Sequence, residues 1–129
     1  MEVLSSRVIM APTDLARSRQ WYEQVLGLRV YREFGHGGVA TGVVYFLGGG
    51  FLELSSSGSP AGTGITLWLQ VQDLGSEWRR LQAAGAKVTK PPTRQPWGLI
   101  ESWIDDPDGA RLVLVEVPED HPIRRRLDT

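Results

Sequence analysis

The sequence contains no cysteine. Disulfides, thiolate metal sites and cysteine nucleophiles are excluded with it. Histidine is scarce too: only His36, in a glycine-rich stretch, and His121, in the C-terminal tail, are present. Isolated histidines of this kind are read as surface residues and not as metal ligands. No apolar run approaches the roughly 18 residues of a membrane span, and the opening MEVLSSRVIMAPTD lacks the basic flank and long apolar stretch of a secretory signal. The expectation is a cytoplasmic protein with no membrane partner. Charge of one sign is lacking as well: 14 basic and 15 acidic residues give a formal net charge of −1. Such a balance offers no broad field to nucleic acid and suits a small neutral or mixed-charge ligand. What remains is 129 residues with 41% hydrophobic content, enough for one domain with its own core.

Within that length the chain repeats itself. RVIMAPTDLARSRQWYEQVLGLRV, from Arg7, reads as strand, turn, helix, glycine, strand, and TLWLQVQDLGSEWRRLQAAGAKV, from Thr66, reads in the same order. Asp14-Leu15 and Asp73-Leu74 correspond at an offset of 59, each aspartate standing where a helix N-cap accepts backbone N–H groups. Gly27 and Gly85 then end the helices. Trp21, Val25 and Leu26 form the apolar stripe of the first helix, and Leu74, Trp78 and Leu81 that of the second. Two more strands follow in each half, near 41–47 and 51–55, then near 99–104 and 110–117. The first pair is joined by Gly48-Gly49-Gly50 and the second by DDPDG, both hairpin signals. The fold class is therefore α+β: two tandem βαβββ modules, about 5–55 and 65–117. A polar linker over 56–64 separates them, and a tail over 118–129 is read as a surface or partner-contacting segment. Its three arginines, Arg124 to Arg126, are read as a solvated basic end.

DLARSRQWYEQVLGLRV, the run WLQVQDL at Trp68–Leu74, and QPWG followed by DPDG give the sequence its likeness to a known family. On these residues the chain resembles the vicinal oxygen chelate superfamily, which holds glyoxalase I, extradiol dioxygenases, fosfomycin-resistance enzymes and bleomycin-resistance proteins. The likeness covers about Arg7 to Glu116 and is closest in pattern to the bleomycin-resistance-like branch. It implies a curled mixed sheet forming a cup with the helices outside and the ligand inside, in a protein that is commonly a homodimer.

Metal-using members of the superfamily take ligands from the first and last strands of each module, usually two histidines with one or two glutamates. Those positions correspond here to Arg7, Glu53, Thr66 and Val113, so only one of the four ligands is kept. A lone carboxylate beside a permanently cationic guanidinium is a poor site for a divalent ion. The resemblance therefore implies no metal and no cofactor in this chain. Arg7 and Glu53 instead suit a charge-assisted pair, which either presents polar handles to a ligand or serves only as a structural ion pair.

Strand alternation then selects the cup lining from the parity of those positions. Arg7 and Ile9, Phe51 and Glu53, and Thr66, Trp68 and Gln70 fall inward; so do Leu99, Glu101 and Trp103, and Arg111, Val113 and Val115. Val8, Met10, Leu52, Leu54, Leu67, Leu69, Val71, Ile100 and Ile104 fall on the helix side, while Tyr45 stays ambiguous. Arg7, Phe51, Glu53, Thr66, Trp68, Glu101, Trp103, Arg111 and Val113 are the candidate ligand-binding residues, with Trp97 at the rim or in a dimer contact. The competing roles are core packing for the tryptophans and a solvated edge carboxylate for Glu101. An aromatic lining with dispersed charge suits a flat organic molecule. The leading expectation is a metal-free protein that sequesters an aromatic, drug-like or secondary-metabolite ligand, as in antibiotic resistance. The rival is a lyase or isomerase of the same superfamily, with an atypical metal set or with Glu53 or Glu101 as acid/base catalyst. A third reading leaves the cup vestigial and gives the protein a role in assembly.

Overall fold

Asp14 and Asp73 start the two helices as their sequence positions require. Both are extended, at φ −138°, and their carboxylates accept the backbone N–H groups of Arg17 at 3.1 Å and Ser76 at 3.2 Å. The first helix, α1 (Leu15–Gln20), continues as a π-helical turn over Trp21–Val25; the second, α2 (Leu74–Ala83), is regular. Gly27 and Gly85, at φ 85° and 83°, end the helices in the left-handed conformation that costs glycine least. The computed structural model describes residues 1–123. Arg124 to Arg126 lie outside the described residues.

Two compact units are present, one comprising Met1–Ile65 with Asp106–Ala110, the other Thr66–Asp105 with the chain from Arg111 onward. The first holds β1 (Arg7–Ala11), β2 (Val30–His36), β3 (Val39–Leu47), β4 (Gly50–Ser55) and the two-residue β5 (Ser59–Pro60), in the order β2-β3-β4-β1-β5. The second holds β6 (Thr66–Gln70), β7 (Lys87–Arg94), β8 (Ile100–Asp105) and β9 (Arg111–Glu116), in the order β6-β9-β8-β7. In each sheet the strand before the helix pairs parallel with the last strand of the module; β5 also pairs parallel with β1, and the remaining pairings are antiparallel. The α+β architecture with βαβββ written twice is as expected. Each sheet is open and separate from the other, and part of the segment read as linker pairs with β1 through Met10↔Ser59 and Ala11↔Pro60.

Register makes the repeat exact in space. Arg7 stands beside Phe51 and Ile9 beside Glu53, and Thr66 and Trp68 stand in the same way beside Arg111 and Val113. The helix face of each sheet is aliphatic and buried. Met10, Val43, Leu52 and Leu54 are at most 1% exposed in the first unit, and Leu67, Ile104, Leu112 and Leu114 at most 6% in the second. Removing each such side chain from water contributes about 1.5–3 kcal/mol. Tyr45 is settled by pairing with Leu52, which puts it on the helix face, where its hydroxyl donates to Glu23 at 2.8 Å. α1 packs on β3 and β4, and Val8, at the start of β1, stays 40% exposed despite its helix-side parity.

Within the first helical stripe, Tyr22 takes the fully buried place that the regular periodicity assigned to Trp21. Ser18, Tyr22 and Leu26 are the buried positions, four residues apart, so the buried line runs one residue to the side of Trp21. The Tyr22 hydroxyl donates to Asp106 Oδ2 at 2.7 Å, and burial together with the Asp106 charge pushes its pKa well above the ordinary phenol value. Tyr22 is thus a permanent donor. Asp106 Oδ1 accepts the N–H groups of Asp108 and Ala110, both at 2.9 Å, which shapes the turn. Asp108 in turn accepts from Arg17 at 3.1 Å and from the backbone N–H of Thr13 at 3.3 Å. DDPDG is the expected β8–β9 hairpin, and it also ties down the start of α1. Replacing Asp106→Ala strands three donors, two of them in buried surroundings, and is expected to lower stability by about 2–4 kcal/mol in urea unfolding. A loss under about 0.5 kcal/mol contradicts this anchoring role.

Candidate functional site

The parallel pairing of β1 with β4 sets Arg7 and Glu53 on the helix-free face of the first sheet. Arg7 lies two residues before Ile9, the register partner of Glu53, and its Nη1 donates to Glu53 Oε1 at 2.7 Å. Ser55, two residues after Glu53 on the same strand face, donates its hydroxyl to Oε2 at 2.6 Å. Both carboxylate oxygens are engaged. Glu53 is 6% exposed, whereas the Arg7 side chain is 37% exposed and keeps donors available at the surface of the face. The Ser55 hydroxyl does most to hold the Glu53 carboxyl below its usual pKa. Burial opposes this, and Arg7 adds to it by hydrogen bond and charge, with a further contribution from the Arg32 charge. A general base at neutral pH needs the opposite direction.

Beside this network stands an aromatic cluster. Phe51 carries the Arg7 guanidinium 5.8 Å from its ring centroid and packs against Tyr31 at 4.9 Å and Phe46 at 5.9 Å. Tyr31 and Phe46 are 48% and 43% exposed, so the cluster offers ring surface to solvent.

The corresponding face of the second sheet carries different chemistry on the same plan. Trp68, Val113, Trp103 and Lys90 form one row across β6, β9, β8 and β7, and Thr66, Arg111, Asp105 and Lys87 form the next. Lys90 Nζ lies 4.7 Å from the Trp103 ring centroid and Arg111 Cζ 4.6 Å from it, two cation–π contacts on one indole. Arg111 Nε is 3.8 Å from Asp105 Oδ1, an ion pair too long for a hydrogen bond. Glu101 is 7% exposed and accepts the Trp97 indole N–H at 3.0 Å. Trp97 itself is 58% exposed at the edge of this group, where His121 Nε2 lies 3.4 Å from its carbonyl oxygen.

The nine candidate residues thus divide between the faces: Arg7, Phe51 and Glu53 share one, and Thr66, Trp68, Glu101, Trp103, Arg111 and Val113 share the other. Sequence reasoning missed Ser55 and Lys90. Ser55 has the parity of Glu53 and was legible; Lys90 was not, because register shifts on both sides of it break the alternation of β7. Tyr31 was hidden in the same way by the irregularity between Val30 and Arg32.

The four positions that correspond to metal ligands in the resembling enzymes do not fit a divalent ion. Glu53 is closed by Arg7 and Ser55, Thr66 and Val113 bring no strong ligand, and no group of three His, Asp or Glu side chains suited to a metal occurs among the described residues. No helix among the described residues is long and apolar enough to cross a membrane.

Residues 6–114 match the family model described as Glyoxalase/Bleomycin resistance protein/Dioxygenase superfamily. No curated protein matches the chain. Among solved structures, the chain is similar to TioX from Micromonospora sp. ML1, with 24% identity over 88% of this chain and 95% of that one, at a TM-score of 0.72. It is similar also to TnmS3, an antibiotic binding protein from Streptomyces sp. CB03234, with 19% identity over 91% and 98% and a TM-score of 0.74. A glyoxalase/bleomycin resistance protein from Catenulispora acidiphila DSM 44928 has 24% identity over 90% and 100%, with a TM-score of 0.70. At these identities the solved structures establish the fold.

The lowered Glu53 pKa has a direct consequence for stability. A carboxylate with a depressed folded-state pKa stabilises the fold fully above its unfolded value of about 4.5 and loses that contribution as pH falls through the folded value. In urea unfolding, the gap between wild type and Glu53→Gln is expected to be constant at neutral pH and to narrow below about pH 4.5. A gap unchanged down to pH 3 contradicts the ionised pair.

Proposed function

The chain belongs to the Glyoxalase/Bleomycin resistance protein/Dioxygenase superfamily, and we propose that it binds an aromatic small molecule by stacking and charge-assisted hydrogen bonds, without metal chemistry. The observation that carries this reading is the closed Arg7–Glu53–Ser55 network at the position where metal-using relatives need free ligands. Arg7 is held in place by Glu53 and has donors left over for a polar group on the ligand. Ring surface is offered by Phe51, Phe46 and Tyr31 in one unit and by Trp68 and Trp103 in the other, with Trp68 50% exposed. Aromatic contacts of this kind contribute about 0.5–1.5 kcal/mol each beyond the area they bury. Thr66, Val113, Glu101 and Arg111 are the further candidate ligand contacts of the second unit.

The description of TnmS3 as an antibiotic binding protein supports a sequestering role on this fold. The proposal takes the ligand as a drug-like or secondary-metabolite molecule and the protein as a cytoplasmic homodimer, in keeping with its likeness to the bleomycin-resistance branch. Enzymatic acid/base chemistry is disfavoured at Glu53, whose carboxylate is stabilised in its charged form. Calorimetric titration of chelator-treated protein with planar polycyclic antibiotics is expected to show saturable binding that Trp103→Ala weakens about tenfold or more. Binding that appears only after a divalent metal is restored contradicts the proposal.

A further inference from the structure

The charged groups on the helix-free face of the second unit do not balance. Lys87, Lys90 and Arg111 stand on it against Asp105 and Glu101, although the whole chain carries a formal charge of −1. Three cations against two carboxylates leave this face with a cationic excess. Glu101 is occupied by the Trp97 indole, and Asp105 lies 3.8 Å from Arg111 without forming a hydrogen bond. Three polar atoms here are shielded from solvent and lack a hydrogen-bond partner: Trp103 Nε1, Arg111 Nε and Asp105 Oδ1. Arg111 Nε and Asp105 Oδ1 face each other at 3.8 Å, so the shielded donor left without an acceptor is Trp103 Nε1, and Arg111 Cζ lies 4.6 Å from its ring. A shielded donor without an acceptor is uncommon in native proteins and marks a place where an acceptor belongs.

Resting on the binding reading above, we infer that the ligand of this face carries an acidic oxygen group, a carboxylate or an ionised phenol, attached to its ring system. The ring lies along Trp68, whose indole is half exposed. The acidic oxygens accept from Trp103 Nε1 and from the remaining guanidinium donors of Arg111, whose side chain is 43% exposed, and Lys90, 4.7 Å from the Trp103 ring, adds charge of the matching sign. Asp105 orients the Arg111 guanidinium from 3.8 Å and limits how much negative charge the face accepts. A neutral aromatic of the same shape keeps the stacking and leaves the donors unpaired, so the site discriminates against it.

The probes are naphthalene-2-carboxylate and naphthalene-2-carboxamide, which share a ring and differ in charge, titrated calorimetrically into the full chain at low salt and pH 7. Wild type and Arg79→Gln, which removes an equal charge from α2, are expected to bind the carboxylate about tenfold or more tightly than the amide. Arg111→Gln is expected to bring the ratio close to one, and Arg111→Lys to restore part of it, with thermal unfolding of both variants confirming a folded protein. Equal affinities in wild type overturn the acidic-group inference and leave the binding reading standing. A preference that survives Arg111→Gln overturns the role of Arg111. Absence of binding by either compound overturns both readings.

Discussion

The contact between the Arg7 guanidinium and the Glu53 carboxylate organises the first unit and decides what its exposed chemistry is able to do. It spans β1 and β4, the parallel pair that a βαβββ module needs in order to return its last strand beside its first. Because Ser55 takes the second carboxylate oxygen, Glu53 is buried with a hydrogen bond to each of its oxygens. A buried charge is tolerated only when paired and hydrogen-bonded in this way. The same arrangement engages both Glu53 oxygens and leaves the Arg7 guanidinium as a fixed cation with donors to spare.

Seen from that pair, the second unit is a repetition with its chemistry exchanged. Ile9 beside Glu53 becomes Trp68 beside Val113, and Val44 beside Glu53 becomes Trp103 beside Val113. Pairing geometry is kept while the polar network gives way to an indole flanked by Lys90 and Arg111. The helix faces, by contrast, stay largely aliphatic and buried in both units, with Tyr45 of the first standing where the second has Ile104. Divergence greatest on the helix-free faces is the pattern expected when a scaffold is retained and its contents change.

Much of this was legible in the chain itself. The aspartate caps, the terminating glycines and the offset near 59 defined both modules, and period-two alternation sorted Met10, Leu52 and Leu54 from Arg7, Phe51 and Glu53. Reasoning by period failed where strand irregularities hid Tyr31 and Lys90, and in the first helix the buried line lay one residue away, with Tyr22 and not Trp21 fully buried. Tyr45 was undecidable because neither parity of Thr41 to Leu47 is cleanly apolar, and only pairing with Leu52 fixes its side. The bond from Tyr22 to Asp106 joins residues 84 positions apart, and no local pattern announces it.

On the function proposed above, the Arg7–Glu53 ion pair stands in place of a metal site. Calorimetric titration of zinc and manganese into chelator-stripped protein, alongside Glu53→Gln, is the measurement that bears on it most directly. The expected result is no saturable, stoichiometric uptake that depends on Glu53. One equivalent of metal bound by wild type and lost in Glu53→Gln would contradict it.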